Sequence, residues 1–305
     1  MTRRGLLLFA AMSLVWGIPY LLIRVAVAEV SPPVLVFART ALATAILMPF
    51  ALLRVDLRAV LRHWRWVVAF AVLEIVVPWV LLATAEQRIS SSLTGLLIAG
   101  VPLVGAAIGT VVGGVDRVGS RQLLGLGIGF LGVAAIAGGD FEADSAVALV
   151  QVGIVVVCYA AAPFILSHRL GGVSSLGVMA LALAFAALLY APVGVAGWPA
   201  APPSQAAIVS IVILALVCTA AAFLLFAALI REIGPVRSMV ITYVNPAVAA
   251  VLGVLILDET LTPVMLAGFA LAIAGSTLAT SRPEPPEAEA AAVDATAAGG
   301  GAATG

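Results

Sequence analysis

Two charged side chains, Glu74 and Arg39, lie within long apolar stretches of the sequence. Glu74 stands eight residues into a stretch of about twenty, near the middle of a helix that would cross a membrane. An ionised carboxylate at that depth costs several kcal/mol unless it is paired, hydrated or protonated. Glu74 is therefore a candidate proton carrier or a ligand for a cationic group. The alternatives are a structural hydrogen bond and a position nearer the membrane surface.

Arg39 lies about five residues from the end of its own apolar stretch, about 7–8 Å deep at 1.5 Å per residue of helix. Its planar guanidinium is suited to clamping a carboxylate of a substrate. Pairing with Glu74 is a second hypothesis, although the two depths differ by about 10 Å. Snorkelling of the long side chain to the lipid headgroups is an equally physical interpretation. Arg24 and His168, close to the ends of their stretches, are expected to be interface anchors.

Four aromatic residues inside apolar stretches are candidate substrate-binding residues: Trp16, Tyr20, Trp79 and Tyr243. Trp16 and Tyr20 are four residues apart, on one face of a helix, and flank Pro19. They are candidates for an aromatic wall against a planar or amphipathic substrate. Ordinary helix packing is the alternative.

The dipeptide Asn245-Pro246 predicts a polar break in a helix, because proline frees a backbone carbonyl one turn earlier and asparagine adds a polar side chain. Asn245 is accordingly a candidate substrate-binding residue, and a mechanical kink used for gating is the alternative. The prolines at candidate gating or helix-breaking positions are Pro19, Pro102, Pro163 and Pro246.

The composition shows which elements must position these residues. Of 305 residues, 63% are apolar and 10% are charged, with a mean hydropathy of +1.21, whereas soluble domains are about 45–50% apolar and about 25% charged. Lipid leaves helices as the form that satisfies the backbone of such stretches. The prediction is an all-α polytopic membrane protein with ten transmembrane helices. Their approximate bounds are Leu6–Val27, Val34–Leu53, Trp66–Ala85, Leu93–Val112, Leu123–Gly139, Val147–Leu166, Leu176–Gly197, Ile208–Ile230, Met239–Leu257 and Val264–Thr280.

Several chemistries are excluded by residue usage. All 15 basic residues are arginine, and without lysine there is neither a Walker A loop nor Schiff-base chemistry. The chain has two histidines, far apart, and its acids are scattered, so no metal and no cofactor are expected. The GxGxxG spelled by residues 127–132 lies in an apolar run without a preceding strand. Gly125 and Gly129 are instead interpreted as a close-packing face, with helices 4 and 5 as packing helices or a dimer contact.

The distribution of arginine predicts the orientation. Placing the N-terminus in the cytoplasm puts twelve arginines in cytoplasmic segments, and Arg88 alone in an outside loop. The positive-inside rule therefore favours cytoplasmic N- and C-termini in the plasma or inner membrane. Residues 282–305 are rich in Pro, Glu, Ala and Gly and are expected to form a disordered cytoplasmic tail.

The chain also carries an internal repeat. An offset of 144 residues superimposes Pro19 on Pro163, and Pro102 on Pro246. Two five-helix repeats are predicted, at residues 1–139 and 146–281, and an odd number of spans in each makes their topology inverted. At this offset Arg39 aligns with Leu183, and Glu74 with Cys218. Scaffold requirements alone do not explain that asymmetry, which favours a functional role for Glu74 and Arg39.

The chain resembles the EamA-type transporters of the drug/metabolite transporter superfamily. The resemblance rests on Trp16-Gly17 with Arg24, on residues 37–40 (Phe-Ala-Arg-Thr), and on the run from Asn245-Pro246 through Asp258-Glu259 to Gly268 and Gly275. Asp116 stands where the first repeat of that family usually has Glu. The resemblance implies a ten-helix fold and transport, and the family carries amino acids, nucleosides, drugs and other metabolites.

The leading functional hypothesis is a secondary active transporter, expected to export a small organic metabolite or drug by rocking the two halves about a central cavity. Coupling to protons through Glu74 is an additional hypothesis. The expected partners are the substrate, membrane lipids and protons, without nucleic acid, and both a monomer and a homodimer stay open. A membrane-embedded lipid-modifying enzyme and a non-transporting membrane subunit are the alternatives.

Overall fold

The structure is a computed structural model, and it describes residues 2–112, 120–138, 143–233 and 241–280. Within these residues every regular element is helical, as predicted. The α-helices are α1 Arg3–Ala26, α2 Pro32–Arg54, α3 Leu57–Leu61, α4 Trp64–Ala71, α5 Val77–Ala85, α6 Ser91–Ile98, α7 Val101–Val112, α8 Ser120–Gly138, α9 Ala143–Arg169, α10 Ser175–Ala196, α11 Gln205–Ala215, α12 Ala222–Ile233, α13 Ile241–Leu257 and α14 Pro263–Thr280.

Seven helical stretches are long and apolar enough to cross a membrane. Three further apolar helical segments are shorter, and they coincide with the other three spans expected from the sequence: Leu123–Ala137, Val244–Leu257 and Pro263–Ala279. The chain is therefore a multi-pass membrane protein. Ten spans stays a prediction, because these three segments fall below the 18 residues that the other seven reach.

Polar caps mark where several of the helices begin. Ser90 accepts a hydrogen bond from the Leu93 N–H at 3.1 Å, and Ser204 accepts one from the Ala207 N–H at 3.2 Å. These hydroxyls satisfy backbone donors that the first turn of a helix leaves free. Each cap fixes the start of an apolar helix at the edge of the bundle.

Glycines bring α8 and α14 into close contact. A methyl group at Gly132 would lie 2.5 Å from the Ala272 nitrogen and from the Gly268 oxygen, and one at Gly125 would lie 2.8 Å from the Gly275 oxygen. The glycine face predicted for the fifth span thus exists, but much of it packs against the last span of the same chain. In the fourth span a methyl group at Gly105 would meet no described atom within 4 Å, so no close packing within the chain occurs there, and a dimer contact stays a prediction.

One of the four candidate prolines coincides with a break in a helix. The fourth expected span is divided into α6 and α7 by two residues, Ala99 and Gly100, immediately before the first turn that contains Pro102. Pro19, Pro163 and Pro246 lie inside α-helices that continue past them. Neighbouring helices and side chains can satisfy the carbonyls that such prolines free.

Two π-helical turns interrupt α-helices at equivalent positions of the two repeats. The first π turn, Val72–Val76, joins α4 to α5, and the second π turn, Leu216–Ala221, joins α11 to α12. Their first residues are 144 positions apart, which is the offset of the repeat. Such turns widen a helix locally and occur frequently at functional sites.

Candidate functional site

Arg39 links the two repeats inside the bundle. Its side chain extends from α2, is 7% exposed, and donates from Nε to Thr219 Oγ1 in the second π turn at 3.0 Å. The Thr219 hydroxyl donates in turn to the Leu214 carbonyl at 2.8 Å, so its lone pair is free to accept from Arg39. Arg39 therefore lies in the protein interior instead of snorkelling to headgroups.

The plane of the guanidinium is fixed by Trp79 of α5. The Arg39 Cζ lies 3.6 Å from the centroid of the Trp79 ring, a close cation–π contact. Stacking on one face and a hydrogen bond at Nε leave the two terminal amino groups of Arg39 without a hydrogen-bond acceptor among the described residues. These two groups form the fork that binds carboxylates in a bidentate manner.

Glu74 lies in the first π turn, and its side chain is partly buried. Among the described residues its carboxylate makes neither a hydrogen bond nor an ion pair, and the hypothesis of direct pairing with Arg39 finds no contact. Tyr159 and Cys158 of α9 lie within electrostatic range of this carboxylate. A carboxyl group at this depth is thus available to a proton or to a cationic ligand.

Tyr159 of α9 lies within electrostatic range of both charges. It interacts electrostatically with Glu74, Arg39 and Tyr20, and it approaches the Trp79 side chain. The aligned position in the other repeat is Val15, so the same comparison that singles out Glu74 also singles out Tyr159. We define the central site by five residues, which come from α2, the first π turn, α5, α9 and the second π turn: Arg39, Glu74, Trp79, Tyr159 and Thr219.

Trp16 and Tyr20 lie in different surroundings. The Trp16 ring packs against Phe226 of α12 with centroids 4.8 Å apart. Tyr20 packs with Leu82 and Ala249 and interacts electrostatically with Arg39. Tyr20 is thus adjacent to the central site, whereas Trp16 belongs to a packed cluster between α1 and α12, so the two do not form the expected joint wall.

Asn245 bridges two helices instead of facing an open space. With its amide nitrogen oriented toward acceptors, Asn245 donates to the Ser13 carbonyl at 3.2 Å and to the Ile241 carbonyl at 3.1 Å. The bond to Ser13 joins α13 to α1 beside Gly17, where an added Cβ would clash with the Val248 side chain. The side chain of Tyr243 lies outside the described part of the structure.

A second polar cluster lies at the end of the bundle where α5 ends and α6 begins. Glu259 receives hydrogen bonds from the Ser91 and Ser92 N–H groups, both at 2.8 Å, and from their hydroxyls at 2.9 and 2.5 Å. Burial raises the pKa of Glu259, but these four bonds outweigh it and hold the pKa below its ordinary value. Asp258, with φ of 53°, adopts the left-handed conformation that turns the chain toward α6.

The same end holds a buried carboxyl group that the sequence analysis overlooked. Glu86 follows α5 directly and is 0% exposed. The Nη1 of Arg24 donates to its backbone carbonyl, so Arg24 holds the end of α5 against α1, and its role as an interface anchor stays a prediction. At the opposite end Thr2 Oγ1 donates to Glu232 at 2.6 Å, and Arg4 lies 3.8 Å from the same carboxylate.

Comparison with known proteins gives a family and a fold. Residues 3–138 and 147–281 each match the model of the EamA-like transporter family. Among the 21 chains of solved structures that match, one described as "Crystal structure of protein" aligns with a TM-score of 0.64 at 19% identity, over 90% of this chain and 97% of its own. At that identity the likeness supports the fold alone. No match is found among curated proteins.

Proposed function

Because the chain belongs to the EamA-like transporter family, we propose that it is a secondary active transporter whose substrate binds at the central site. The family match confirms the resemblance stated from the sequence, and the two matched segments are two EamA repeats. The finer proposal is that ten helices cross the cytoplasmic membrane with both termini inside, and that the repeats rock about the central site. Export is proposed as the direction.

The free fork of Arg39 is the observation that carries this proposal. Its Nε is held by Thr219 at 3.0 Å, and its plane by Trp79 at 3.6 Å, so both terminal amino groups are oriented before a ligand arrives. Orientation in advance reduces the entropy lost on binding. We therefore propose a small organic substrate that carries a carboxylate, with its apolar part against Trp79 and Tyr159.

Glu74 supports a second element of the proposal. Its carboxyl group is partly buried and has no hydrogen-bond partner among the described residues, and at membrane depth such a group accepts a proton readily or binds a cationic group. Proton coupling through Glu74 predicts that a pH gradient alone drives uptake or release of substrate. An amino group on the substrate that binds Glu74 predicts instead a strong preference for zwitterions over simple carboxylates. The two alternatives call for different ligands and different gradients, so one assay separates them.

The test is solute flux in proteoliposomes containing the purified chain. A panel of matched compounds would comprise a monocarboxylate, its amide, the corresponding amine and the zwitterion, each with the same aromatic ring. The proposal expects flux of carboxylate-bearing compounds above empty liposomes and no flux of the amide. A pH gradient is applied across half of the samples. Flux of none of these compounds under any gradient, by protein that is monodisperse and folded, would overturn the proposal.

A further inference from the structure

Glu86 combines complete burial with a lack of partners. Both oxygens of its carboxyl group are buried, and neither has a hydrogen-bond partner among the described residues. Arg24, a cation that interacts electrostatically with Glu86, donates to the Glu86 backbone carbonyl and to the Ile89 carbonyl at 3.5 Å instead of to the carboxylate. An ionised carboxylate in such surroundings is strongly disfavoured.

Three groups from two other parts of the chain face Glu86. They are Tyr20 and Arg24 of α1, and Glu259, which follows α13. Burial, and then the charge of Glu259, raise the pKa of Glu86 well above its ordinary value, and Arg24 lowers it only in part. Glu259 has four hydrogen bonds that secure its negative charge. Of the two neighbouring acids, Glu86 is therefore the one that holds a proton.

Helix architecture does not require a carboxyl group at this position. The second repeat has Ile230 at the aligned place, so the repeat itself does not conserve an acidic residue there. A cavity of about 360 Å³ lined by Arg24, Val27, Ala28 and Gln87 opens beside it. A small separation of α1 from the end of α5 would thus connect Glu86 to water.

We propose that Glu86 is a second proton-binding site, protonated while the helix ends around it are closed and deprotonated when they separate. The proton passes from the carboxyl group to water in the opening, and the carboxylate left behind becomes hydrated and faces the Arg24 guanidinium. The inference rests on the proposed function in taking this end of the bundle as the outer one. Deprotonation of Glu86 would make opening of the transporter on its outer side easier at higher pH.

The expected effect follows from linkage. If closing binds one proton, the ratio of open to closed protein changes by up to about tenfold per pH unit between the pKa values of the two states. Glu86→Gln keeps the shape of a protonated carboxyl but cannot ionise. This variant is expected to stay closed at every pH, whereas Glu86→Asp is expected to retain pH-dependent opening.

The experiment measures opening with a buried cysteine. Leu82 lies one turn before Glu86, is 4% exposed and packs with Tyr20. Leu82→Cys is made in a background with both native cysteines replaced by alanine, and it is labelled with a membrane-impermeant maleimide in sealed right-side-out vesicles. Because thiol ionisation itself speeds labelling, each rate is divided by that of Ala201→Cys, an exposed position at the same end that does not line the cavity.

The normalised labelling rate is expected to rise with pH in the parent, to stay low and constant in Glu86→Gln, and to rise again in Glu86→Asp. Glu29→Gln is the matched control, because Glu29 is an exposed carboxylate at the same end that accepts from the Ser204 N–H at 2.6 Å. It should leave the slope unchanged. An unchanged slope in Glu86→Gln, or a parent rate that does not vary with pH, overturns the proposal.

Infrared difference spectroscopy provides a second measurement that does not depend on opening. The spectrum of the parent minus that of Glu86→Gln at neutral pH should contain the C=O stretching band of a protonated carboxylic acid, and a carboxylate band in its place overturns the proposal. Neither measurement needs a substrate. Flux with pH-independent labelling would therefore contradict this inference alone, and pH-dependent labelling without flux would contradict the proposed function alone.

Discussion

Replacing Thr219 by valine tests whether a positioned Arg39 binds the substrate carboxylate. The substitution conserves shape and removes the acceptor of the Arg39 Nε bond, 3.0 Å long and buried. Hydrogen bonds to charged groups contribute about 1.5–3 kcal/mol. The contact with Trp79 at 3.6 Å remains and still orients the guanidinium. We therefore expect the loss of binding free energy to lie in the lower part of this range. A loss of 1.4 kcal/mol corresponds to about tenfold weaker binding.

Thr40→Val is the matched control for this change. Thr40 is also buried, directly follows Arg39 in α2, and donates to the Val36 carbonyl of its own helix at 2.7 Å. It loses a hydrogen bond of similar length without touching the guanidinium. We expect its effect on Kd to stay below about twofold, because the lost bond acts on stability in both the free and the bound protein.

The assay is titration of each purified variant with the carboxylate compound that binds the parent most tightly, and with its amide. Thr219→Val should weaken binding of the carboxylate about tenfold and leave the weak binding of the amide unchanged. Equal shifts in Kd for Thr219→Val and Thr40→Val would refute the reasoning. The reasoning would also be refuted if Thr219→Val weakened binding of the carboxylate and of the amide equally. That result would mean that the Thr219 hydroxyl plays no part in recognising the negative charge of the ligand.

Three further predictions address coupling, packing and acid stability. Glu74→Gln should abolish flux driven by a pH gradient while exchange of substrate in the absence of a gradient persists, as measured in proteoliposomes; gradient-driven flux that survives would contradict proton coupling through Glu74. Gly132→Ala should destabilise the protein by about 1–3 kcal/mol, because its methyl group would lie 2.5 Å from the Ala272 nitrogen. Gly127→Ala is the control, because a methyl group there would meet nothing within 4 Å. It should leave the thermal unfolding midpoint unchanged or higher. The folded state lowers the pKa of Glu259, so its ionised carboxylate stabilises the fold at pH values above the pKa that Glu259 has in the unfolded chain. This stabilisation is lost as pH falls through the pKa of the folded state. The thermal unfolding midpoint of Glu259→Gln should therefore vary less between neutral and acid pH than that of the parent.

Hydropathy and self-alignment are sufficient to predict the helical class and the two repeats. Both follow from properties that each stretch carries by itself, namely apolar length and residue identity at a fixed offset. The comparison between repeats was also the signal that singled out Glu74 and Arg39. Applied to every polar residue, it would have added Tyr159, aligned with Val15, and Glu86, aligned with Ile230. Glu86 was overlooked because it directly follows an apolar stretch, where a carboxylate is ordinarily hydrated.

Other features depend on tertiary contacts that no local pattern encodes. The spacing of Gly125 and Gly129 predicts a close-packing face, but only the fold shows that Gly125 meets Gly275 of the last helix. Trp16 and Tyr20 share a helical face in sequence, and yet they contact different helices. The π turns leave no trace in hydropathy, because one extra residue in a turn changes hydrogen-bond spacing without changing composition.

The two π turns also suggest how a duplicated scaffold holds an unduplicated site. The backbone widens at the same place in both repeats, so the symmetry of the architecture is retained there. The side chains are not equivalent: Glu74 aligns with Cys218, and Thr219 aligns with Ile75. The bond from Arg39 to Thr219 therefore crosses between repeats, with no symmetry-related copy on the other side. Relative movement of the repeats would strain or break this bond, and a carboxylate held by the same guanidinium would sense that movement directly.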